Sequence, residues 1–137
     1  MNKELSYIQI NDYTTQSGFQ ISTLQLSYQL FGLELGTAPV VLVNHALTAN
    51  SNVVGENGWW KEVIGNRKTI DTKKFTVLAF NIPGNGFDGL LIDNYKDFVA
   101  KDIANLFLYA LKKLKICKLH AIIGGSLGGG IAWEMAV

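Results

Sequence analysis

Residues 119–135 read Leu119-His120-Ala121-Ile122-Ile123-Gly124-Gly125-Ser126-Leu127-Gly128-Gly129-Gly130-Ile131-Ala132-Trp133-Glu134-Met135. A short apolar run, 119–123, has the length of a buried strand. It meets G-x-S-x-G at 124–128, and residues 131–135 then read as helix. That order has a chemical reason. A sharp strand-to-helix turn lifts the serine Oγ clear of a sheet, and side chains two residues to either side would collide, so glycine stands at both places. The following helix aims its N-terminal dipole and free N–H groups at a developing oxyanion. Two glycine-rich alternatives fail on spacing. A dinucleotide fingerprint, G-x-G-x-x-G, wants glycine where Ser126 stands, and a Walker loop wants Gly-Lys-Ser/Thr, which the chain lacks.

Working outward, 40–43 and 75–80 are further apolar runs bounded by Gly, Pro, Asn or charge, as expected of parallel strands buried on both faces. The clearest helix lies between 75–80 and 119–123. Its apolar positions are Phe98, Val99, Ile103, Leu106, Phe107, Ala110, Leu111 and Leu114, spaced by threes and fours. Asp93 or Asn94 is the expected cap at its start, and the lysines at 112, 113, 115 and 118 close its end. A shorter helix is expected near Trp59–Ile64. The first third reads as antiparallel β with one wet face: a short strand over 5–10, then alternation over 19–31 whose phase changes near Thr23 and Leu24, predicting a bulge or two strands. Residues 32–39 form a turn. The result is an α/β layer sheet with crossover helices, strand 119–123 beside strand 40–43 and its other side unpaired.

Composition narrows the function. Of 137 residues, 48% are hydrophobic and 17% charged, which excludes disorder and coiled coil. Twelve basic and eleven acidic residues leave a net charge of +1, and Arg67 is the one arginine, so a phosphate-tracking surface for nucleic acid is not expected. The single cysteine, Cys117, cannot form an internal disulfide and is read as a buried structural thiol in a reducing compartment. The N-terminus lacks the apolar core of a signal peptide, and no run reaches the ~18 residues a membrane span needs, so the cytoplasm is the expected location.

Asn44-His45-Ala46-Leu47-Thr48 follows strand 40–43 at the sheet's carboxyl edge, where open α/β sheets bind ligands and where the second oxyanion-hole N–H arises in folds with such a serine turn. His45 is read as ordering this loop. His120, six residues before Ser126 on the same strand, lies roughly 20 Å from it at ~3.3 Å per residue, and is read as packed in the layer. Glu134 is read as solvated or packing, Asp88 and Asp93 as turn formers and caps. Trp59 and Trp60 divide between substrate wall and core, and Trp133 is assigned to the core.

The strings NHALTAN, GWWKEVIG, TIDTKKFTVLAFNIPGNG and IIGGSLGGG, in that order from about residue 15 to the end, resemble the homoserine O-acetyltransferase family of the α/β-hydrolase superfamily. The resemblance implies that 1–137 is the N-terminal part of one α/β-hydrolase domain, ending just after the nucleophile turn. It implies ping-pong acyl transfer, from an acyl-CoA to Ser126 and then to the homoserine hydroxyl. By position, the backbone N–H groups of Leu47 and Leu127 form the oxyanion hole, Asn44, His45 and Ala46 shape its loop, Trp59 and Trp60 lie in the segment after it, and these five are the candidate substrate-binding residues. Acetyl-CoA is then a co-substrate. No bound cofactor, metal or membrane is implied, and a second copy or the missing C-terminal part is the protein partner left open.

Three departures stand out. Residues 81–89 replace the family's longer glycine-rich run, and Leu127 stands where methionine is common. The eleven residues after Ser126 contain neither the Asp nor the His that complete the family's triad, so the isolated chain is expected to be inactive or very weak. An esterase of the same superfamily and a non-catalytic α/β module are the competing readings.

Overall fold

The three apolar runs lie side by side within one mixed sheet, the first two wholly buried and the third, at the sheet edge, only half-buried instead of covered on both faces. The computed structural model describes residues 4–90, 92 and 95–137. Its strands are β1 (Ser6–Thr14), β2 (Gln20–Gly32), β3 (Val40–Asn44), β4 (Ile64–Gly65), β5 (Ile70–Asp71), β6 (Thr76–Phe80) and β7 (Ala121–Gly124), and its helices are α1 (Ala100–Lys113) and α2 (Leu127–Ala136). The five-stranded sheet runs β1-β2-β6-β3-β7, and β4 and β5 form a separate parallel pair. β2 runs antiparallel to both of its neighbours, β1 and β6, whereas β3 runs parallel to both β6 and β7. β7 is thus an edge strand beside β3, with Asn44 opposite Gly124.

Every residue of β3 and β6 is buried, because both faces of the sheet centre are covered. Leu42, Leu78 and Phe80 meet Leu106 and Phe107 of α1 and Ile131 of α2 on one face. Val41, Val43, Val77 and Ala79 meet Val53, Ile64 and Ile70 on the other. Period-2 alternation therefore feeds two cores rather than one core and water.

The opening strands differ from expectation. β1 extends to Thr14 instead of stopping near residue 10, because β2 offers it partners throughout. β2 is one strand with unbroken register and no bulge. The phase change has another cause: β6 pairs only with Tyr28–Gly32, so the C-terminal half of β2 enters the sheet interior and buries Ser27, Gln29 and Phe31 as well.

Residues 59–63 form successive turns, not the expected short helix, with the Val63 and Ile64 N–H groups both donating to Trp60 O before β4 begins. The expected caps Asp93 and Asn94 lie outside the described residues. Val99 is the N-cap, and Asp102 accepts its N–H at 3.0 Å. The same carboxylate accepts the Gln16 N–H at 2.9 Å and the Tyr13 hydroxyl at 2.7 Å, tying the β1–β2 hairpin to α1. Burial and this contact push the Tyr13 phenol up to about 12.

Three side chains assigned inward face outward. Cys117 is exposed, because Ile116 and Leu119 take the inward positions of the loop before β7. His120 is exposed just before β7, against the Phe75 ring at 4.9 Å, rather than packed in the layer. Trp133 is 72% exposed, since α2 buries Ile131 and Met135, four apart, and residue 133 lies on the opposite side of the helix. Among the described residues, no helix is long and apolar enough to cross a membrane.

Candidate active site

β7 ends at Gly124 and α2 begins at Leu127, so two residues make the turn between them. Ser126 takes φ 55° and ψ −121°. A non-glycine residue there costs on the order of 1–3 kcal/mol and persists only where its surroundings enforce it. The flanking glycines show what enforces it. A Cβ at Gly124 would run into the Gly128 carbonyl, and one at Gly128 into the Asn44 carbonyl at the end of β3. α2 is therefore drawn onto the ends of two adjacent strands. The Gly129 and Gly130 N–H groups close on Ser126 O at 3.0 and 3.2 Å. The Ser126 side chain is exposed.

Asn44 and His45 are wholly buried beside this turn. Asn44 Nδ2 donates to Gly128 O at 3.5 Å, while its Oδ1 is buried with no partner among the described residues. His45 Nδ1 bonds Ala46 O at 2.6 Å, and its Nε2 accepts the Ile82 N–H at 2.9 Å. A carbonyl only accepts and an amide only donates, so the imidazole is neutral with its proton on Nδ1. Burial holds its pKa below the usual histidine value, against a smaller raising effect of the Ala46 carbonyl.

Leu47, 69% exposed, and Leu127 lie on one cleft of about 570 Å³, walled further by Ile82, Asn85, Tyr95 and Phe98. Among the described residues neither the Leu47 nor the Leu127 N–H has a protein acceptor. Two residues whose N–H groups have no protein acceptor among the described residues thus line one cleft, Leu47 from the loop after β3 and Leu127 from the start of α2. Trp59 and Trp60 pack elsewhere: their rings stack at 4.8 Å, the Trp59 indole donates to Asn50 O, and both lie against the second core.

A polar web beneath the 81–89 loop escaped the sequence reading. Asn81, 2% exposed, donates to Ser27 Oγ and Ser51 Oγ, each at 2.9 Å, and accepts from the Ser51 N–H and the Asn85 amide. Ser27 in turn donates to Asp88 at 2.6 Å. Asn81 follows β6 directly, the place an Asn at a sheet's carboxyl edge would have drawn notice.

A family model described as alpha/beta hydrolase fold matches residues 39–137. The chain belongs to the α/β-hydrolase fold family. Within that family it is similar over nearly its whole length to homoserine O-acetyltransferases. That of Corynebacterium diphtheriae is 32% identical over 143 residues, covering 96% of this chain and 38% of that protein. The crystal structure of homoserine O-acetyltransferase from Bacillus anthracis superposes with a TM-score of 0.85 at 26% identity, covering 99% of this chain and 43% of that one. The crystal structure of esterase E22 gives 0.79 at 28% identity, covering 94% and 42%. This α/β-hydrolase chain therefore spans less than half the length of each of these relatives.

Proposed function

We propose that this chain carries the nucleophile and oxyanion hole of a homoserine O-acetyltransferase-type acyltransferase. The observation that carries the reading is Ser126: exposed, held at positive φ between two glycines that cannot be replaced without collision, and next to Leu127, which lines one cleft with Leu47, the N–H of each having no protein acceptor among the described residues. Ser126 Oγ attacks the thioester carbonyl of an acyl-CoA while its proton passes to a base. The carbonyl oxygen takes up negative charge between the Leu47 and Leu127 N–H groups, and the C–S bond breaks to release CoA. The homoserine hydroxyl then attacks the acyl-serine, and Ser126 is regenerated with its proton.

No histidine here is free to serve as that base. His45 uses its Nδ1 proton on Ala46 O and its Nε2 lone pair on Ile82, and His120 stands at the far end of β7. The 1–137 chain is accordingly expected to turn over poorly alone. The test is CoA release from acetyl-CoA and homoserine by the full-length gene product, with Ser126→Ala as control. Release that survives Ser126→Ala rejects the acyl-enzyme.

Similarity to esterase E22 supports a second reading, in which water takes the acyl group. Hydrolysis of p-nitrophenyl acetate with and without homoserine separates the two. Transfer to homoserine at the expense of hydrolysis supports the transferase, and indifference to homoserine supports the esterase.

A further inference from the structure

The geometry points to His45 as a positioning residue that holds the Ala46–Leu47 peptide plane so that the Leu47 N–H is presented to the cleft as an oxyanion donor. This rests on the acyl-enzyme reading of Ser126. Three observations carry it. First, Ala46 O is held by two donors, His45 Nδ1 at 2.6 Å and the Ala49 N–H at 3.0 Å. Second, the described chain has no cis peptide bonds, and in a planar trans peptide the C=O and the next N–H point in opposite directions. Fixing Ala46 O therefore fixes the direction of the Leu47 N–H. Third, the imidazole is itself anchored from outside the loop, because its Nε2 accepts the Ile82 N–H at 2.9 Å and lies 3.4 Å from the Asn85 amide nitrogen. Ile82 and Asn85 wall the same cleft as Leu47. His45 thus sets the donor on one wall against the loop that forms another, without reaching the cleft itself, being wholly buried.

Two substitutions separate this role from simple loop bridging. His45→Asn keeps a donor where Nδ1 stands and loses the Nε2 acceptor. His45→Gln keeps an acceptor near Nε2 and loses the donor to Ala46 O. In the full-length gene product, kcat for Ser126-dependent acyl transfer is expected to fall about 10²-fold in His45→Gln with KM little changed, the scale of a lost oxyanion donor, and to stay within about 10-fold in His45→Asn. The Leu47 amide proton and nitrogen NMR shifts are expected to move in His45→Gln and hold in His45→Asn. Equal losses of kcat in the two variants, or a loss carried by KM, overturn the proposal.

Long-range proton–nitrogen NMR of the unmutated protein near neutral pH gives a check that needs no variant to fold. A His45 ring protonated on Nδ1 alone supports the assignment, and an Nε2–H tautomer or an imidazolium overturns it. If turnover survives Ser126→Ala, the acyl-enzyme reading is what fails. The ring nitrogen and Leu47 amide shifts then still decide whether His45 orients the peptide.

Discussion

Gly128→Ala tests the packing of α2 against the strand ends. The added methyl would stand 2.7 Å from His45 O and 2.6 Å from the Asn44 carbonyl carbon, and closer still to Asn44 O, where ordinary contact begins at 3.4 Å. The helix or the end of β3 must retreat by roughly 0.7 Å or more, which places the cost near the upper end of overpacking, about 3 kcal/mol. None of these atoms is a side-chain tip that can swing away, and Asn44 is held in register opposite Gly124. Better helix propensity returns only about 0.5–1 kcal/mol. The net expectation is a loss of about 2 kcal/mol in urea or thermal unfolding. Activity should suffer more. Asn44 leads within three residues to Leu47, and displacement of a catalytic donor by about 1 Å costs ~10²-fold in rate. Gly130→Ala is the matched control on the same helix: nothing lies within 4 Å of its Cβ position, so it should be neutral or slightly stabilising. If Gly128→Ala proves as stable and as active as Gly130→Ala, the close approach of α2 to β3 is wrong.

Asp102→Ala leaves the Val99 N–H, the Gln16 N–H and the Tyr13 hydroxyl without their shared acceptor, and should lower unfolding free energy by about 3 kcal/mol in urea denaturation. Tyr13 has its phenol raised from 10.0 to about 12, so its contribution is complete below pH 10 and is lost as pH climbs from 10 towards 12. The alkaline fall in unfolding midpoint should therefore be shallower in Tyr13→Phe. His45 is shifted the other way, from the ordinary 6.5 downward. Its contribution is present above 6.5 and drains away as pH falls through the folded value, because the unfolded chain takes up the proton first. A melting temperature that stays flat between neutral pH and pH 5, apart from carboxylate effects matched in His45→Asn, contradicts the buried neutral imidazole.

Residues 119–135 made the strand, turn and helix legible because glycine is required at 124 and 128 for a local reason, the crowding of one tight turn. The runs 40–43 and 75–80 were legible because strands covered on both faces are almost continuously apolar, Thr76 alone being polar and bonded to the Leu33 carbonyl. Trp133 and Cys117 were misread for the converse reason. An apolar residue at a helix or loop position does not say which side another element covers, and α2 and the loop before β7 turn those two outward. The 59–63 segment failed similarly: Trp60 O takes the Val63 and Ile64 N–H groups and Asn50 O takes the Trp59 indole, acceptors in turns that carry no periodicity.

The order of local elements, the serine between its glycines and the apolar identity of the central strands follow from neighbours a few residues apart, whose steric and solvation demands act along the chain. The pairing of β3 with β7, the meeting of Leu47 and Leu127 on one cleft, and the tautomer of His45 depend on groups 30 to 80 residues apart. Such contacts form only when the sheet assembles, since hydrogen-bond direction and burial are properties of the packed arrangement and leave no mark on the spacing of residues in sequence.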